Sequence, residues 1–545
     1  MNKTMIVNPE PGQMPLTSVV DAVDAGKITI PKFQRKFVWS PVDVASLFDS
    51  IFKGYPIGTF TLWQTKERLC PIKEVGGHKL PEPKKGETAE YVLDGQQRLT
   101  SIYACLKAIT VGKYDYSKIY VRLTNLNEED DQLVVTEVGG LNSSDYITIR
   151  ELIDLDIEGI YDRYKKKSAR SQINEFHKRL LSYQLPVIRL TDVNLAKATE
   201  IFTRINTTGK SLTLFEIISA KVYDPDRKFD LLDKRKEQRD KWMSANYGTI
   251  SDSTVLEAIS ICVKQSCKRG EMLKLTVADF ADNWDKIDDA FGLAIEYLQS
   301  QYGIPSAKLL PYEVLIIPFV YYFFKSGKKR IAAGLAKHLS NYFWRSAFTT
   351  RFTEGAVSKI TQDVAIIDDI IAGNEPKGLP AIDISINAIK RDGEWNFASA
   401  YAKAILCLLS ANKPRRFDDG GEIKMDGKWL AHSNSVNYHH FFPKAYMEKK
   451  QPRVDKDEVD HVVNIAIVDQ YLNQKEIRVK APSEYMKRYA KNKKIKQIMA
   501  THLIGDFDRF GIWHNDYDKF FKGRVRLLQK AVQDRIIAQK GDVLK

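Results

Sequence analysis

The chain has 545 residues, of which 43% are apolar and 28% charged, and this composition excludes a mainly disordered, collagen-like or fibrous protein. Its length suggests about three domains. Residues 411–545 carry 28 basic and 18 acidic side chains, so most of the net charge of +14 lies in the last quarter. A localised positive field favours a polyanionic partner, although a ribosome-associated or membrane-surface protein would also fit the composition.

The cysteine pattern and the hydropathy indicate a soluble cytoplasmic protein. The five cysteines show no CxxC spacing and are sparse, as expected for reduced cytosolic thiols. Residues Met1 to Pro11 contain no apolar signal core. The most apolar run, Val314–Phe324, is 11 residues long and contains Pro318. A membrane span needs about 20 apolar residues, so we predict a buried core helix there.

The first third of the chain is predicted to be mixed α and β. Short apolar strands are expected at Gly58–Trp63, Tyr91–Leu93 and Ile119–Leu123. One helix has clear signals at both ends, because Ser40 can cap it, Pro41 occupies its first position and Gly54 can stop it.

A polar segment, residues 94–98 (DGQQR), follows one of these strands and precedes apolar residues at helical spacing. We expect a helix to begin here, with Asp94 as its cap and Gly95 allowing a tight turn. The open N–H groups of the first turn, together with Arg98, would then form a seat for an anion. A well-capped strand–helix junction without a ligand accounts for the same residues.

Two other segments carry polar candidates. In Ile30–Trp39 the aromatic residues are expected to pack inward, which leaves Gln34 and Arg35. The segment Phe202–Ser211 runs from a helix into a glycine loop, and a new helix is expected to start at a capping box. This loop could present Arg204, Asn206, Thr207 and Lys210 to a phosphate. An ordinary connection between helices is the alternative, and a P-loop is excluded because its first glycine is missing.

Together, the segments IPKFQRKFVW, VLDGQQRLTSI and EIFTRINTTGKSLTLFEI resemble the N-terminal module of GmrSD-type restriction enzymes, which SspE-type phage-defence proteins share. The resemblance covers roughly residues 15–225. It implies a ParB/sulfiredoxin-like fold that binds and hydrolyses a nucleoside triphosphate such as GTP, UTP or ATP. It implies catalytic roles for Asp94, Gln97 and Arg98. Its implied nucleotide-binding residues are Arg35, Gln96, Arg204, Asn206 and Lys210.

The middle of the chain, from residue 226 to 410, is predicted to be helical, with long apolar stripes such as Ile331–Phe348. A polar, turn-rich stretch at Ala411–Lys428 follows, and we place a domain boundary there. Short strands and then helices are expected beyond it, ending in a basic amphipathic helix around Arg524–Gln539.

Two predicted strands and a helix near the C-terminus carry histidine and asparagine side chains. They are Val436–Phe442 with His439 and His440, Val462–Val468 with Asn464, and a helix after Asp469 with Asn473 and Lys475. This is the plan of a ββα-metal (HNH) nuclease. In that chemistry a neutral histidine deprotonates water, an amide orients the imidazole, and two protein ligands hold one Mg²⁺. Alternatively, one histidine is a surface residue and the asparagines form turns.

The last part of the chain, roughly residues 400–545, resembles the HNH domain found at the C-terminus of GmrSD-like proteins. The resemblance implies that His440 is the general base and that Asn464 orients it. It also implies that His439 and Asn473 are the metal ligands and that Lys475 contacts phosphate. A common family residue at the first ligand position is aspartate. Because imidazole binds Mg²⁺ more weakly than carboxylate does, His439 suits Mn²⁺ or Ni²⁺ better.

Basic residues follow the predicted nuclease motif. We predict that the first group, Lys487, Arg488, Lys491, Lys493 and Lys494, binds DNA phosphates together with Lys475. Further basic residues follow at Lys519, Lys522, Arg524 and Arg526. A solvated helix face is the alternative for any one of them.

The residue patterns and the two resemblances together predict an α+β multidomain protein, in which the resemblances imply a ParB-like domain (residues 1–225) and an HNH nuclease domain (411–545) on either side of a helical connecting domain (226–410). The predicted function is a nucleotide-regulated, Mg²⁺-, Mn²⁺- or Ni²⁺-dependent endonuclease that cuts or nicks double-stranded DNA in bacterial anti-phage defence, with specificity for modified DNA as an option. Phage DNA is the expected substrate, a homo-oligomer is compatible, and no membrane is expected. The alternatives are a DNA-modification sensor with an inactive nuclease that acts through a partner, and an NTPase whose hydrolysis is the output.

Overall fold

The computed structural model describes residues 8–32, 34, 37–84, 86–123, 132–140, 142–205, 213–423, 438–451, 453–468 and 477–545. The fold is mixed α and β, with small sheets and many helices. The chain divides into two compact units, Met1–Leu232 and Asp233–Lys545. Below they are called the N-terminal and the C-terminal unit.

The N-terminal unit contains twelve described strands, most of them short. They are β1 (Glu10–Pro15), β2 (Ile28–Thr29), β3 (Phe60–Thr65), β4 (Glu74–Val75), β5 (His78–Lys79), β6 (Ala89–Asp94), β7 (Thr110–Val111), β8 (Tyr114–Asp115), β9 (Tyr120–Arg122), β10 (Val134–Val135), β11 (Tyr146–Thr148) and β12 (Gln184–Leu190). Its described helices are α1 (Leu16–Asp24), α2 (Pro41–Phe52), α3 (Gln96–Leu106), α4 (Ile149–Asp154), α5 (Ile157–Arg163), α6 (Lys167–Ser182), α7 (Leu195–Ile205) and α8 (Leu214–Lys221).

A five-stranded mixed sheet organises this unit, in the order β1-β12-β3-β6-β2. The pair β12–β3 is parallel and the pair β3–β6 is antiparallel. Helix α2 packs against α3 and α6, and the buried side chains of Phe48, Ile102 and Ile173 belong to one apolar core. The sheet therefore fixes the end of β6, where the DGQQR segment begins.

Several local predictions for this unit are confirmed. Ser40 and Asp43 form a capping box with Pro41 at the start of α2, and Gly54 follows the helix in the left-handed region at φ 73°. Thr213 and Glu216 form a second capping box at the start of α8. The predicted strands coincide with β3, β6 and β9 to within two residues at every end. Short-range cap and turn chemistry was sufficient to predict these elements.

The C-terminal unit is mainly helical. Its helices, the first of which begins at the division between the units, are α9 (Leu231–Met243), α10 (Asp252–Lys264), α11 (Arg269–Met272), α12 (Val277–Ala281), α13 (Trp284–Tyr302), α14 (Ile316–Ser326), α15 (Ala333–Ala347), α16 (Ala356–Ala372), α17 (Ile386–Asp392), α18 (Ala400–Ala411), α19 (Lys444–Lys450), α20 (Lys456–Val459), α21 (Pro482–Tyr489), α22 (Ile495–Thr501) and α23 (Tyr517–Gln533). Its two described strands are β13 (Tyr438–His440) and β14 (Ile465–Ile467). Short 3₁₀ turns cover Ala307–Leu309, Glu313–Leu315 and Val462–Asn464.

The most apolar run of the sequence forms α14, whose residues from Ile316 to Phe324 are all buried. It packs against α10, α13 and α16, as expected of a core helix. Within the described residues, no helix combines the length and the apolar character that a membrane span needs. All five cysteines are buried as free thiols.

The C-terminal unit is continuous across residue 411, where we predicted a domain boundary. Arg345 in α15 is fully buried and holds Asp542 through two hydrogen bonds of 2.7 Å. The side chain of Asn341 accepts a hydrogen bond from the Ile537 backbone at 2.8 Å. Because the last residues of the chain lie against the helical middle, residues 226–410 and 411–545 do not separate into compact units of their own.

One of the basic residues that we expected on an exposed surface is buried. Arg524 in α23 is fully buried, and its guanidinium donates hydrogen bonds to the carbonyls of Val463 and His502. Burial lowers the pKa of Arg524 to about 9. Arg524 therefore anchors α23 to the turn that precedes β14 and is not available to DNA, whereas Arg526 is exposed.

Candidate functional site

The two predicted C-terminal strands pair with each other, and both histidines lie on the first of them. Strands β13 and β14 are antiparallel, with His439 opposite Ala466 and His440 opposite Ile465. The second strand is shorter than predicted, because Val462–Asn464 forms a 3₁₀ turn. The helix predicted after Asp469 lies outside the described residues, which resume at 477.

A carboxylate that the sequence analysis did not single out contacts His440. The imidazole Nε2 of His440 lies 2.9 Å from Oδ1 of Asp460. The other oxygen, Oδ2, accepts a hydrogen bond of 2.5 Å from Nζ of Lys444 at the start of α19. The side chain of His440 is 15% exposed and that of Asp460 is 37% exposed. Hydrogen bonds thus link the three side chains in series, from strand β13 to the protein surface.

The protonation states follow from this arrangement. Burial lowers the pKa of His440, the charge of Lys444 adds to this, and Asp460 opposes it, so the imidazole is neutral at neutral pH. Burial raises the pKa of Asp460, but hydrogen bonds from Lys444 and His440 outweigh it and lower the pKa overall. A neutral imidazole beside an ionised carboxylate is the pairing that a general base requires.

Asn464 is fully buried, and its described contacts are with the backbone. Its Oδ1 accepts from the Phe442 N–H at 2.9 Å, and its Nδ2 donates to the carbonyls of Phe442 and Val459 at 3.0 and 2.9 Å. The amide therefore fastens the turn after β13 to the segment before β14. We predicted that Asn464 orients the imidazole; the structure gives that contact to Asp460, and Asn464 instead fixes the backbone that carries His440.

His439 has different surroundings from its neighbour, because successive strand residues point to opposite faces. It is 4% exposed, and its ring centroid lies 6.1 Å from that of Tyr485 in α21. Within the described residues, no three His, Cys, Asp or Glu side chains converge on a metal position. Imidazole is a donor that Mn²⁺ and Ni²⁺ accept, so the residue type at His439 suits one of these ions, whereas Asp460 lies against His440 on the other face of the strand.

A cavity of about 490 Å³ is lined by Asp460, the hydrogen-bond partner of His440, and by Lys444. It lies between α19 and α20 and is lined by Lys444, Met447, Glu448, Gln451, Val454, Lys456, Asp457, Val459 and Asp460. The lining mixes lysines with carboxylates, so a phosphate would meet Lys444 and Lys456 at its edges. A ligand in this cavity would therefore meet Asp460 and Lys444.

The predicted DNA-binding residues that the structure describes lie on or after α21. Lys487, Arg488, Lys491, Lys493 and Lys494 are all exposed. The buried side chains in this part of the chain are apolar ones such as Tyr485, Met486 and Ile495, so the lysines face water. The stretch from 487 to 494 is therefore a basic surface, as predicted. Lys475 lies outside the described residues.

The second candidate site, at the DGQQR segment, lies in the N-terminal unit. Helix α3 begins at Gln96, and its cap position is Gly95, with φ 94° in the left-handed region. The helix has no side-chain cap, so the prediction that Asp94 caps it is wrong. Asp94 instead ends β6 and pairs with Arg98 at 3.1 Å.

Arg98 is tied to the neighbouring backbone. Its guanidinium donates to the carbonyls of Ile57 and Thr59 at 2.7 and 3.1 Å and lies over the ring of Phe60 at 4.9 Å. Its side chain is 17% exposed, compared with 34% for Asp94. The structure therefore gives Arg98 a bracing role for the loop before β3, and Asp94 is the more accessible of the two.

The two glutamines connect the DGQQR segment to residues 30–39. Oε1 of Gln97 accepts from the Val38 N–H at 3.0 Å, and Nε2 of Gln97 donates to Oε1 of Gln96 at 3.1 Å. Gln34 donates from Nε2 to the carbonyl of Val92 in β6. Two of the three segments identified from sequence thus meet at the start of α3.

The third segment is only partly described. Helix α7 packs against β6, and Arg204 near its end is 79% exposed and pairs with Glu200 at 2.8 Å. The remaining predicted residues that lie outside the described part of the chain are Arg35, Asn206, Thr207, Lys210 and Asn473.

Asp460 is the main residue that sequence reasoning missed. It stands directly before His461 and four residues before Asn464. An acidic residue next to a histidine is a weak signal, and several others lie between 455 and 460. Only the pairing of β13 with β14 brings Asp460 to His440, twenty positions away in the chain.

Comparison with known proteins supports the N-terminal resemblance. Residues 16–223 match the N-terminal domain family of the GmrSD restriction endonuclease. The chain is also similar to the uncharacterized protein MJ0686 of Methanocaldococcus jannaschii, with 25% identity over 578 aligned positions and 94% of each chain covered. The family match spans nearly all of the N-terminal unit described above.

Proposed function

We propose that this protein is a nucleotide-regulated, metal-dependent DNA endonuclease of the restriction type that acts in phage defence. The observation that carries the proposal is the match of residues 16–223 to the N-terminal domain family of a restriction endonuclease, in a chain that also holds a neutral imidazole against a carboxylate that lines a cavity. The basic surface after α21 supports DNA as the polyanionic partner.

The cutting chemistry is hydrolysis of a phosphodiester. His440 accepts a proton from water, the water oxygen bonds to phosphorus, and the bond from phosphorus to the departing sugar oxygen breaks. Lys444 and Lys456 line the cavity and would meet the charge of the DNA backbone there. A divalent ion held by His439 and Asn473 would stabilise the negative charge on the departing oxygen.

The N-terminal unit supplies the proposed regulation. Asp94 is a partly accessible carboxylate next to the first turn of α3, where open N–H groups favour an anion. Gln96, Gln97 and Arg98 form this turn, and Arg204 lies near the end of α7. A nucleoside triphosphate at this place would contact segments that are far apart in the chain.

Nucleotide turnover is tested with GTP, UTP and ATP separately, with and without DNA. Asp94→Asn removes the accessible charge while keeping the shape of the side chain, and it should abolish hydrolysis. Glu87→Gln is a matched control, since Glu87 is exposed on the same unit. Hydrolysis by Asp94→Asn at the normal rate would remove Asp94 from the proposed site.

A DNA sensor with an inactive nuclease is the second candidate, favoured by one residue. Histidine stands at position 439, where a carboxylate is common in the resembling family, and its ring is packed against Tyr485. This candidate predicts DNA binding, measured by filter retention, without any cleavage in Mg²⁺, Mn²⁺ or Ni²⁺ on modified or plain DNA. Cleavage with any of these ions would exclude it.

A further inference from the structure

We propose that Asp460 is a positioning residue that holds the His440 imidazole with its Nε2–H toward the carboxylate and leaves Nδ1 to accept the proton of the attacking water. This inference rests on the proposed nuclease function and deepens it. Neither the resemblance nor the family match assigns a role to Asp460.

The hydrogen bond fixes which ring nitrogen carries the proton. An ionised carboxylate only accepts hydrogen bonds, so the nitrogen 2.9 Å from Asp460 Oδ1 must donate. In a neutral imidazole one nitrogen donates and the other accepts. Nε2–H therefore leaves a lone pair on Nδ1, and Nδ1 is the atom that can take a proton.

Asp460 is itself held from two sides. Its Oδ2 accepts from Lys444 Nζ at 2.5 Å, which turns Oδ1 toward His440. Its backbone carbonyl accepts from the Trp395 N–H at 2.9 Å, and its N–H donates to the Lys456 carbonyl at 2.8 Å. The backbone of Asp460 and one of its carboxylate oxygens are therefore both held, which limits the positions that Oδ1 can take.

His440 is held equally well on the opposite side of the hydrogen bond. Its strand pairs with β14, and Asn464 fastens the turn directly after it. Both partners therefore keep their positions without a ligand, and the tautomer is set before DNA arrives.

The proton path is complete without other protein groups. Water loses a proton to Nδ1 of His440 and forms the new oxygen–phosphorus bond, while the sugar oxygen leaves and takes a proton from solvent. The imidazolium formed this way is stabilised by the Asp460 carboxylate at Nε2, and it later returns its proton to solvent.

Substitution of Asp460 by asparagine gives a sharp test, because Lys444 can only donate. The Asn carbonyl would pair with Lys444, so its NH₂ group would face Nε2 of His440 and force the proton onto Nδ1. Asp460→Asn should therefore slow single-turnover cleavage at saturating DNA by about 100-fold or more, at least as much as Asp460→Ala. DNA half-saturation should stay within about 3-fold of normal.

A double variant separates this effect from loss of structure. Adding Lys444→Met to Asp460→Asn frees the amide to rotate and present its carbonyl, so the asparagine should slow cleavage about 10-fold less in the Lys444→Met background than in the unaltered protein. Glu458→Gln is the matched control, because Glu458 lies on the same segment, is exposed and does not line the cavity. Normal rates for both Asp460 variants, or an equal effect of the asparagine with and without Lys444→Met, would overturn the proposal.

The tautomer is also measured without DNA or metal, in full-length protein labelled with ¹⁵N-histidine. The His440 signals are identified by their loss in His440→Gln. The proposal predicts a protonated Nε2 and a bare Nδ1, and the reverse in Asp460→Asn. A protonated Nδ1 in the unaltered protein would overturn it. If no DNA is cut, the proposed function fails, and this measurement still decides the role of Asp460.

Discussion

Three histidines of the C-terminal unit show how the partner of an imidazole decides its use. His461 and His502 face backbone carbonyls, and burial lowers the pKa of each to about 4. His440 faces a carboxylate, which can support a positive charge on the ring. The first two are therefore structural groups that stay neutral, and His440 is the one suited to gain and lose a proton.

His502 makes stability depend on pH. Its pKa is about 4 in the folded chain, against an ordinary value of 6.5, so unfolding takes up a proton between these limits. The free energy of unfolding should fall by about 1.4 kcal/mol per pH unit as the pH drops through this window. In His502→Gln the amide can still donate to the Arg415 carbonyl, but it does not titrate.

Urea unfolding at several pH values between 6.5 and 4.5 measures this effect. The His502→Gln variant should lose stability less steeply toward acid, by about one proton. His514→Gln changes an exposed histidine and should keep the normal slope. Equal slopes for His502→Gln and the unaltered protein would contradict the assignment.

At the scale of elements, features that depend on neighbouring residues could be predicted from the sequence, and features that depend on distant pairing could not. The caps at Ser40 and Thr213 could be predicted because all their partners lie within three residues. The order of the five-stranded sheet could not, since β1 pairs with β12 far along the chain. Asp94 was mistaken for a cap for the same reason: its partner Arg98 also bonds to the distant carbonyls of Ile57 and Thr59.

The junction between β6 and α3 depends on Gly95. A Cβ at this position would lie 2.7 Å from the Phe60 ring, and φ is 94°. We expect Gly95→Ala to lower the free energy of unfolding by about 3 kcal/mol, through backbone strain and overlap together. Gly54→Ala should cost only about 1 kcal/mol, because Gly54 has positive φ and open space around it.

Calorimetry of the full chain compares the two glycine variants. The first thermal unfolding transition of Gly95→Ala should occur at a clearly lower temperature than that of Gly54→Ala. Equal melting temperatures would show that the contact with Phe60 is unimportant at this junction.

At the scale of the whole molecule, charge is distributed in a way that composition alone could anticipate. The excess of basic residues near the C-terminus predicted a basic surface, and the exposed lysines after α21 form one. Composition could not tell that Arg524 is buried, because its position on α23 depends on how that helix packs. Nor could it show that residues 233–545 form a single compact unit.

Neutralising Lys491, Lys493 and Lys494 with glutamine should weaken DNA binding and reduce its salt dependence. Each lysine that no longer neutralises a phosphate makes the slope of log affinity against log salt shallower by about 0.9. The matched control replaces Lys328, Lys329 and Arg330, which are also exposed and carry the same charge. Fluorescence anisotropy from 50 to about 200 mM salt provides the comparison. Similar slopes for both triple variants would exclude this surface from the DNA path.

The proposal of a nuclease is tested most directly by single-turnover cleavage of modified and plain phage DNA, with nucleotide and with Mg²⁺ or Mn²⁺. The unaltered protein and His514→Ala should cut, and His440→Ala should be slower by at least about 100-fold while its folding is unchanged. Equal cutting by His440→Ala would contradict the account, as would the absence of cutting by the unaltered protein under every one of these conditions.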